Sequence, residues 1–170
     1  FLKNMKQERE IHFIINRKDV EQITQKIMSC GFNFEKKIAI KDIYSDDDNF
    51  SLLKSKRGFR ERTVDNSDPE YIYKEMKNRK IYEKNMNRKE FIKKTKNLKS
   101  RINIIKERNI FNRGKVEIVI DNMGKIGCML EIECKNGDPK KILKEINFPP
   151  KLIERTTLGC NELALLNKLK

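Results

Sequence analysis

Two pairs of glutamates carry the first hint of chemistry in this chain. Glu131 and Glu133 flank Ile132 in Met129-Leu130-Glu131-Ile132-Glu133, and Glu8 and Glu10 flank Arg9 just ahead of His12. In an extended strand successive side chains point to opposite faces, so each pair projects both carboxylates to one side. Four carboxylates placed this way either hold a divalent cation or form a solvated face. Basic residues repeat the spacing at Arg60 and Arg62 and at Lys106 and Arg108. On an ordinary sheet any one such face simply meets water. The sign distribution points elsewhere, because two strands offer only acidic pairs and two offer only basic ones. A sheet closed into a barrel with these faces inward encloses a polar lumen. That is costly while the charges stay unpaired. It becomes favourable once cations and a polyanion fill it, each close pair being worth about 4 kcal/mol at an effective dielectric of about 20.

The 170 residues suit one domain, 1–170, long enough to bury a core. Charged residues make up 38% of the chain and the formal net charge is +14, which implies an anionic partner. No apolar run approaches the length of a membrane span, and the start is not signal-like, so a membrane partner is not expected and a cytoplasmic location is. Cysteines at 30, 128, 134 and 160 form no C-x-x-C pair, and His12 is the only histidine. This excludes the usual zinc-finger and zinc-ribbon spacings and leaves Cys30, Cys128 and Cys160 as reduced core residues.

The elements that must position these groups read as follows. Residues 8–15 form a strand, and Asn16 caps a helix over 17–30 that Gly31 stops; Val20, Ile23, Ile27 and Met28 fall at helical spacing. Residues 34–44 are β-like and end in the acidic turn 45–48, which lacks the spaced ligands of a calcium loop. Strands at 58–62 and 70–74 form a hairpin around Asn66-Ser67-Asp68-Pro69. A strand around Arg88-Lys89-Glu90-Phe91-Ile92 and a short helix before Ile104 follow. Strands 104–108 and 114–121 pair through Asn112-Arg113-Gly114, and 128–134 carries the late glutamates. Val116, Ile118 and Ile120 share one face of their strand, opposite Glu117, Val119 and Asp121. A helix starts at Asp138-Pro139 and runs through Ile146, and a last one spans 161–169. Many short strands with few helices make the class α+β, mostly antiparallel.

Several of these motifs also match a known family in order. Glu8-x-Glu10-x-His12 resembles the ExExK signature of the CYTH superfamily, the triphosphate tunnel metalloenzymes. Asp42-Ile43-Tyr44 is similar to its D-x-Y strand, Phe59-Arg60-Glu61-Arg62 to its L-R-x-R, and Tyr73-Lys74 to its strand-borne lysine. Arg88-x-Glu90 and Lys106-x-Arg108 match two further basic or mixed strands. The stretch Ile120-Asp121-Asn122-Met123 through Leu130-Glu131-Ile132-Glu133 resembles the family's L-D-x-V…L-G-x-F-x-E-I-E closely.

The resemblance implies a closed eight-stranded antiparallel β-barrel with helices outside. It implies that Glu8, Glu10, Glu131 and Glu133 bind Mg²⁺ or Mn²⁺, hard ions suited to carboxylate oxygens. It assigns the triphosphate to Arg60, Arg62, Lys74, Arg88, Lys106 and Arg108, arginine as a planar fork and lysine as a point charge. The chain departs from ExExK at His12, which is either a weaker phosphate contact or a rim residue with no essential role. By resemblance to the class IV adenylyl cyclase and thiamine triphosphatase branch, the expected activity is conversion of ATP to cyclic AMP and pyrophosphate, with triphosphatase activity as the alternative. The family's cyclases also imply a homodimer. A nucleic-acid-binding module is the reading from a different class, invited by Lys77, Arg79, Lys80, Lys93, Lys94, Lys96, Lys99 and Arg101. It is disfavoured because those bases are not interleaved with stacking aromatics and because it leaves the four glutamates unexplained.

Overall fold

Alternation of charged and apolar side chains turns most of this chain into strands whose faces differ in kind. The computed structural model describes residues 5–78 and 80–168. The expected helix end at Leu169 and Arg79 of the basic run lie outside the described residues. The chain divides into two compact units.

The first unit comprises Phe1–Glu8, Ile40–Ile105 and Cys160–Lys170. Its antiparallel strands are β1 (Lys6–Glu8), the later part of β3 (Asn33–Asp46), β4 (Arg57–Val64), β5 (Glu70–Lys77), β6 (Lys80–Met86) and the early part of β7 (Ser100–Arg113). β1 pairs with β6, β6 with β5, β5 with β4 and β4 with β3. One face of β4, β5 and β6 places Phe59, Tyr73 and Met86 against Phe91 of helix α3 (Arg88–Thr95). Phe91 lies 6.1 Å from Phe59 and 4.9 Å from Tyr71 between ring centroids. The short helix α2 (Ser51–Lys54) sits between β3 and β4 in sequence, and α5 (Cys160–Lys168) completes the unit.

Residues 88–92 are helical, which corrects the strand expected there. The Asn87 side chain accepts a hydrogen bond from the Glu90 N–H at 2.9 Å. With Glu90 at the third helical position this is an N-terminal capping arrangement, and it outweighs the β-like reading of the following residues.

The second unit comprises Arg9–Ala39 and Lys106–Gly159. It holds β2 (Glu10–Ile15), the early part of β3, the later part of β7, β8 (Val116–Asn122), β9 (Cys128–Cys134) and β10 (Glu154–Thr156). β10 pairs with β2, β2 with β9, β9 with β8 and β8 with β7. Ile11, Phe13, Ile15, Leu130, Ile132, Ile118 and Ile120 share one face of this sheet. Ile23 and Ile27 of helix α1 (Val20–Ser29) and Ile146 of α4 (Pro139–Ile146) join that core, all three without solvent exposure. Asp138 caps α4 through the Lys140 N–H at 2.9 Å. Before α1 a single 3₁₀ turn covers Arg17–Asp19, and Asn16 contributes its backbone carbonyl rather than its side chain. Gly31, at φ 81°, reverses the chain after the helix as expected.

The strands hydrogen-bond in the order β1-β6-β5-β4-β3-β7-β8-β9-β2-β10, a ten-stranded antiparallel sheet rather than the closed eight-stranded barrel expected. Two features raise the strand count. The stretch read as one strand over 8–15 is interrupted at Arg9, separating β1 from β2, and residues 154–156 add a short strand on β2. β7 also runs longer than the 104–108 read from sequence, since residues 107–113 all pair with β8. No described helix is long and apolar enough to cross a membrane.

Ile132 is completely buried, between Ile11 and Ile118 in the register. Ile132→Ala is expected to lower the unfolding free energy by about 2–5 kcal/mol, measured by chemical denaturation.

Candidate functional site

The face of the second unit opposite its apolar core gathers acids on three neighbouring strands. In the β2–β9 register Glu10 stands opposite Glu133 and His12 opposite Glu131. In the β9–β8 register Glu117 stands opposite Glu133. His12 Nε2 lies 3.1 Å from Glu10 Oε1 and 3.6 Å from Glu131 Oε2. One donor atom from each of Glu10, His12 and Glu131 falls within 4.8 Å of the others. Burial, opposed by Arg108 and reinforced by Glu131, pushes the Glu117 carboxyl above the ordinary glutamate value.

The same face carries bases, held by a shared carboxylate. Asp121 on β8 accepts from Arg108 Nε at 2.6 Å, from Arg108 Nη2 at 2.8 Å and from Lys106 Nζ at 2.6 Å. Lys106 and Asp121 are 3% and 2% exposed, so neither charge could sit there alone. Burial alone would raise the Asp121 carboxyl, yet Arg108 and Lys106 hold it well below the ordinary aspartate value. Arg108 Nη2 also reaches to 4.0 Å from Glu131 Oε2, so the basic and acidic groups of this unit adjoin.

The first unit has its own charged face. Arg62 donates from Nε to Asp42 Oδ1 at 2.7 Å and from Nη2 to Oδ2 at 2.8 Å. Asp42 is fully buried. Arg60 lies 3.3 Å from Glu83. Burial opposes its charge, but Tyr44, Asp42 and Glu83 raise its pKa well above the ordinary arginine value. Lys74 Nζ lies 2.8 Å from Glu8 Oε2.

Of the candidate metal ligands, Glu10, Glu131 and Glu133 come together in the second unit, with His12 among them. Glu8 belongs to the first unit and pairs with Lys74. Arg60, Arg62 and Lys74 lie in the first unit, Lys106 and Arg108 in the second. Arg88 is not on a strand face; it is the exposed first residue of α3. The sequence alone does not mark Glu117, Asp121 and Asp42 as site residues. Asp121 and Asp42 stand inside the motifs that carry the resemblance, and Glu117 shares the strand face of Asp121, which was the available signal.

Asp121→Asn is expected to destabilise the protein by about 3–5 kcal/mol at neutral pH, because it strands the buried Lys106 and the Arg108 guanidinium. The unfolded aspartate binds its proton near pH 4 and the folded one only far below it, so this contribution is complete above about pH 4 and declines with acidification. Denaturation curves of both proteins from pH 7 to 3 should show the gap narrowing at the acid end.

The CYTH domain family model matches residues 6–150. No curated protein matches the chain. Among solved structures, the PH1012 protein of Pyrococcus horikoshii is similar at a TM-score of 0.72 and 21% identity, covering 92% of this chain and 98% of its own. A proposed adenylate cyclase from Vibrio parahaemolyticus is similar at 0.67 and 12% identity, covering 93% of this chain and 98% of its own. HpAC1 of Hippeastrum, a proposed adenylyl cyclase with a dominant triphosphatase activity, is similar at 0.62 and 15% identity, covering 96% of both chains. At these identities the likenesses speak for the fold. The family match spans both glutamate pairs and every base of the two charged faces, and the chain belongs to the CYTH domain family.

Proposed function

We propose that this protein is a metal-dependent enzyme acting on a triphosphate, and that its reaction is the cyclisation of ATP to cyclic AMP and pyrophosphate. The observation that carries the reading is the junction of acids with bases on one face of the second unit, where Arg108 meets Glu131 at 4.0 Å. A cation alone would need only the carboxylates, and an anion alone only the bases. A metal triphosphate needs both. The CYTH match over residues 6–150, which includes residues of both units, supports treating 1–170 as one functional domain.

The donor set fits Mg²⁺ or Mn²⁺, since Glu10, Glu131 and Glu133 offer hard oxygens and leave coordination positions to water and phosphate. When bound, the ion supplies Lewis-acid polarisation and charge neutralisation at phosphoryl oxygens. Arg108 and Lys106, oriented by Asp121, stabilise negative charge on phosphoryl oxygens. Arg60, Arg62 and Lys74 are the further phosphate-binding groups that the family pattern assigns. Asp42 fixes the Arg62 fork, which preserves the direction in which that guanidinium donates. In cyclisation the 3′-oxygen forms the new bond to the α-phosphorus, the bond from that phosphorus to the bridging oxygen breaks, and the hydroxyl proton leaves to solvent.

Triphosphatase activity is the second reading, favoured by the similarity to the Hippeastrum protein, whose dominant activity is of that kind. There water forms the bond to the terminal phosphorus, the bond from that phosphorus to the bridging oxygen breaks, and orthophosphate forms as the diphosphate part departs. Incubation with Mg²⁺ or Mn²⁺ and, separately, ATP, thiamine triphosphate and tripolyphosphate distinguishes them. Cyclic AMP from ATP is the expected product; orthophosphate from tripolyphosphate without any cyclic AMP would replace the first reading by the second. Glu131→Gln is expected to lower kcat at least about a hundredfold, or ~2.7 kcal/mol of barrier.

A further inference from the structure

The single histidine of the chain occupies a place where an acceptor nitrogen changes what the acids can hold. His12 stands on β2 directly opposite Glu131, and its Nε2 lies 3.1 Å from Glu10 Oε1 and 3.6 Å from Glu131 Oε2. Neighbouring ligand atoms around an octahedral ion with bonds of about 2.1 Å sit roughly 3.0 Å apart. The two separations therefore suit three donors sharing one ion, with small movements of the side chains. Glu10 is 2% exposed at its side chain and His12 14%, so the donors are already withdrawn from bulk water.

A lysine at this position, as in the ExExK pattern, brings an ammonium that only donates and repels a cation beside it. A neutral imidazole presents a lone pair and is a common metal ligand. Carboxylate sites suit Mg²⁺, which favours oxygen and dehydrates reluctantly, while a nitrogen donor shifts preference towards transition metals.

We propose that His12 is itself a ligand of the cation held by Glu10 and Glu131, making a mixed nitrogen–oxygen site that takes Mn²⁺ in preference to Mg²⁺. The inference rests on the metal-dependent reading above and adds to it the donor atom and the ion. In this assignment residue 12 ceases to be a phosphate contact. Glu133, opposite Glu10 in the register, remains on the same face and serves the acidic surroundings of the site.

The direct test is pulsed electron paramagnetic resonance of Mn²⁺ bound to the full chain, which detects a nitrogen coordinated to the ion. The wild-type protein is expected to show that ¹⁴N coupling, and His12→Gln to lose it. Isothermal titration should show the Mn²⁺ dissociation constant rising about tenfold in the variant, while that for Mg²⁺ changes less than about threefold. The wild-type spectrum decides even if the variant fails to fold. Mn²⁺ bound without nitrogen coupling overturns the assignment and leaves the enzymatic reading intact. Absence of any saturable Mn²⁺ or Mg²⁺ binding, with no turnover of ATP or tripolyphosphate, overturns both.

Discussion

Glutamate opposite glutamate is an arrangement that a sheet ordinarily avoids. In the second unit Glu133 faces Glu10 on one side and Glu117 on the other, so like charges meet across two successive strand pairs. Nothing in the packing requires acids there, because the apolar core lies on the other face of the same strands. Their repulsion must be offset by positive charge, and the placement of the surrounding groups follows from that need. Arg108 approaches Glu131, His12 inserts between Glu10 and Glu131, and Glu117 is driven towards its neutral form. The face is thereby under electrostatic tension, which the cation of the proposed function would relieve.

The bases are organised in a different way. In each unit a buried aspartate holds an arginine by a two-point contact, Asp42 with Arg62 and Asp121 with Arg108. Such pairs contribute little net stability relative to well-packed apolar residues, since desolvation of both ions nearly offsets their attraction. Their value is geometric. A guanidinium clamped by a carboxylate has few orientations left, so less rotamer entropy would be lost on meeting phosphate in the proposed function.

Alternation makes the charged faces legible in the sequence itself. Glu131 and Glu133 could only share a side, and Ile132 could only point into the core, which is where it lies. What strand alternation leaves open is register, because pairing partners depend on tertiary contacts. Glu117 is visible as a polar residue on the strand face it shares with Val119 and Asp121, but only its position opposite Glu133 makes it part of the acidic cluster. Asp121 read as one letter of a motif, whereas its hold on Lys106 and Arg108 requires β7 and β8 to be aligned. Arg88 departs from its expected strand for a local reason: the five residues from Arg88 look strand-like alone, and the decisive cap is Asn87 just before them. The interruption at Arg9 left no mark in the residue types around it.

The strict two-residue period of β2 and β9 has a further consequence for how the chain can change. Odd positions 11, 13 and 15 and even positions 128, 130 and 132 are read by the apolar core, while 10, 12, 131 and 133 are read by the charged face. Two messages are thus interleaved in one stretch of backbone, and either can be rewritten without disturbing the spelling of the other. A lineage with this scaffold can exchange the ion or anion it would prefer through substitutions that leave the apolar core untouched, which makes divergence of chemistry at low sequence identity an inexpensive path.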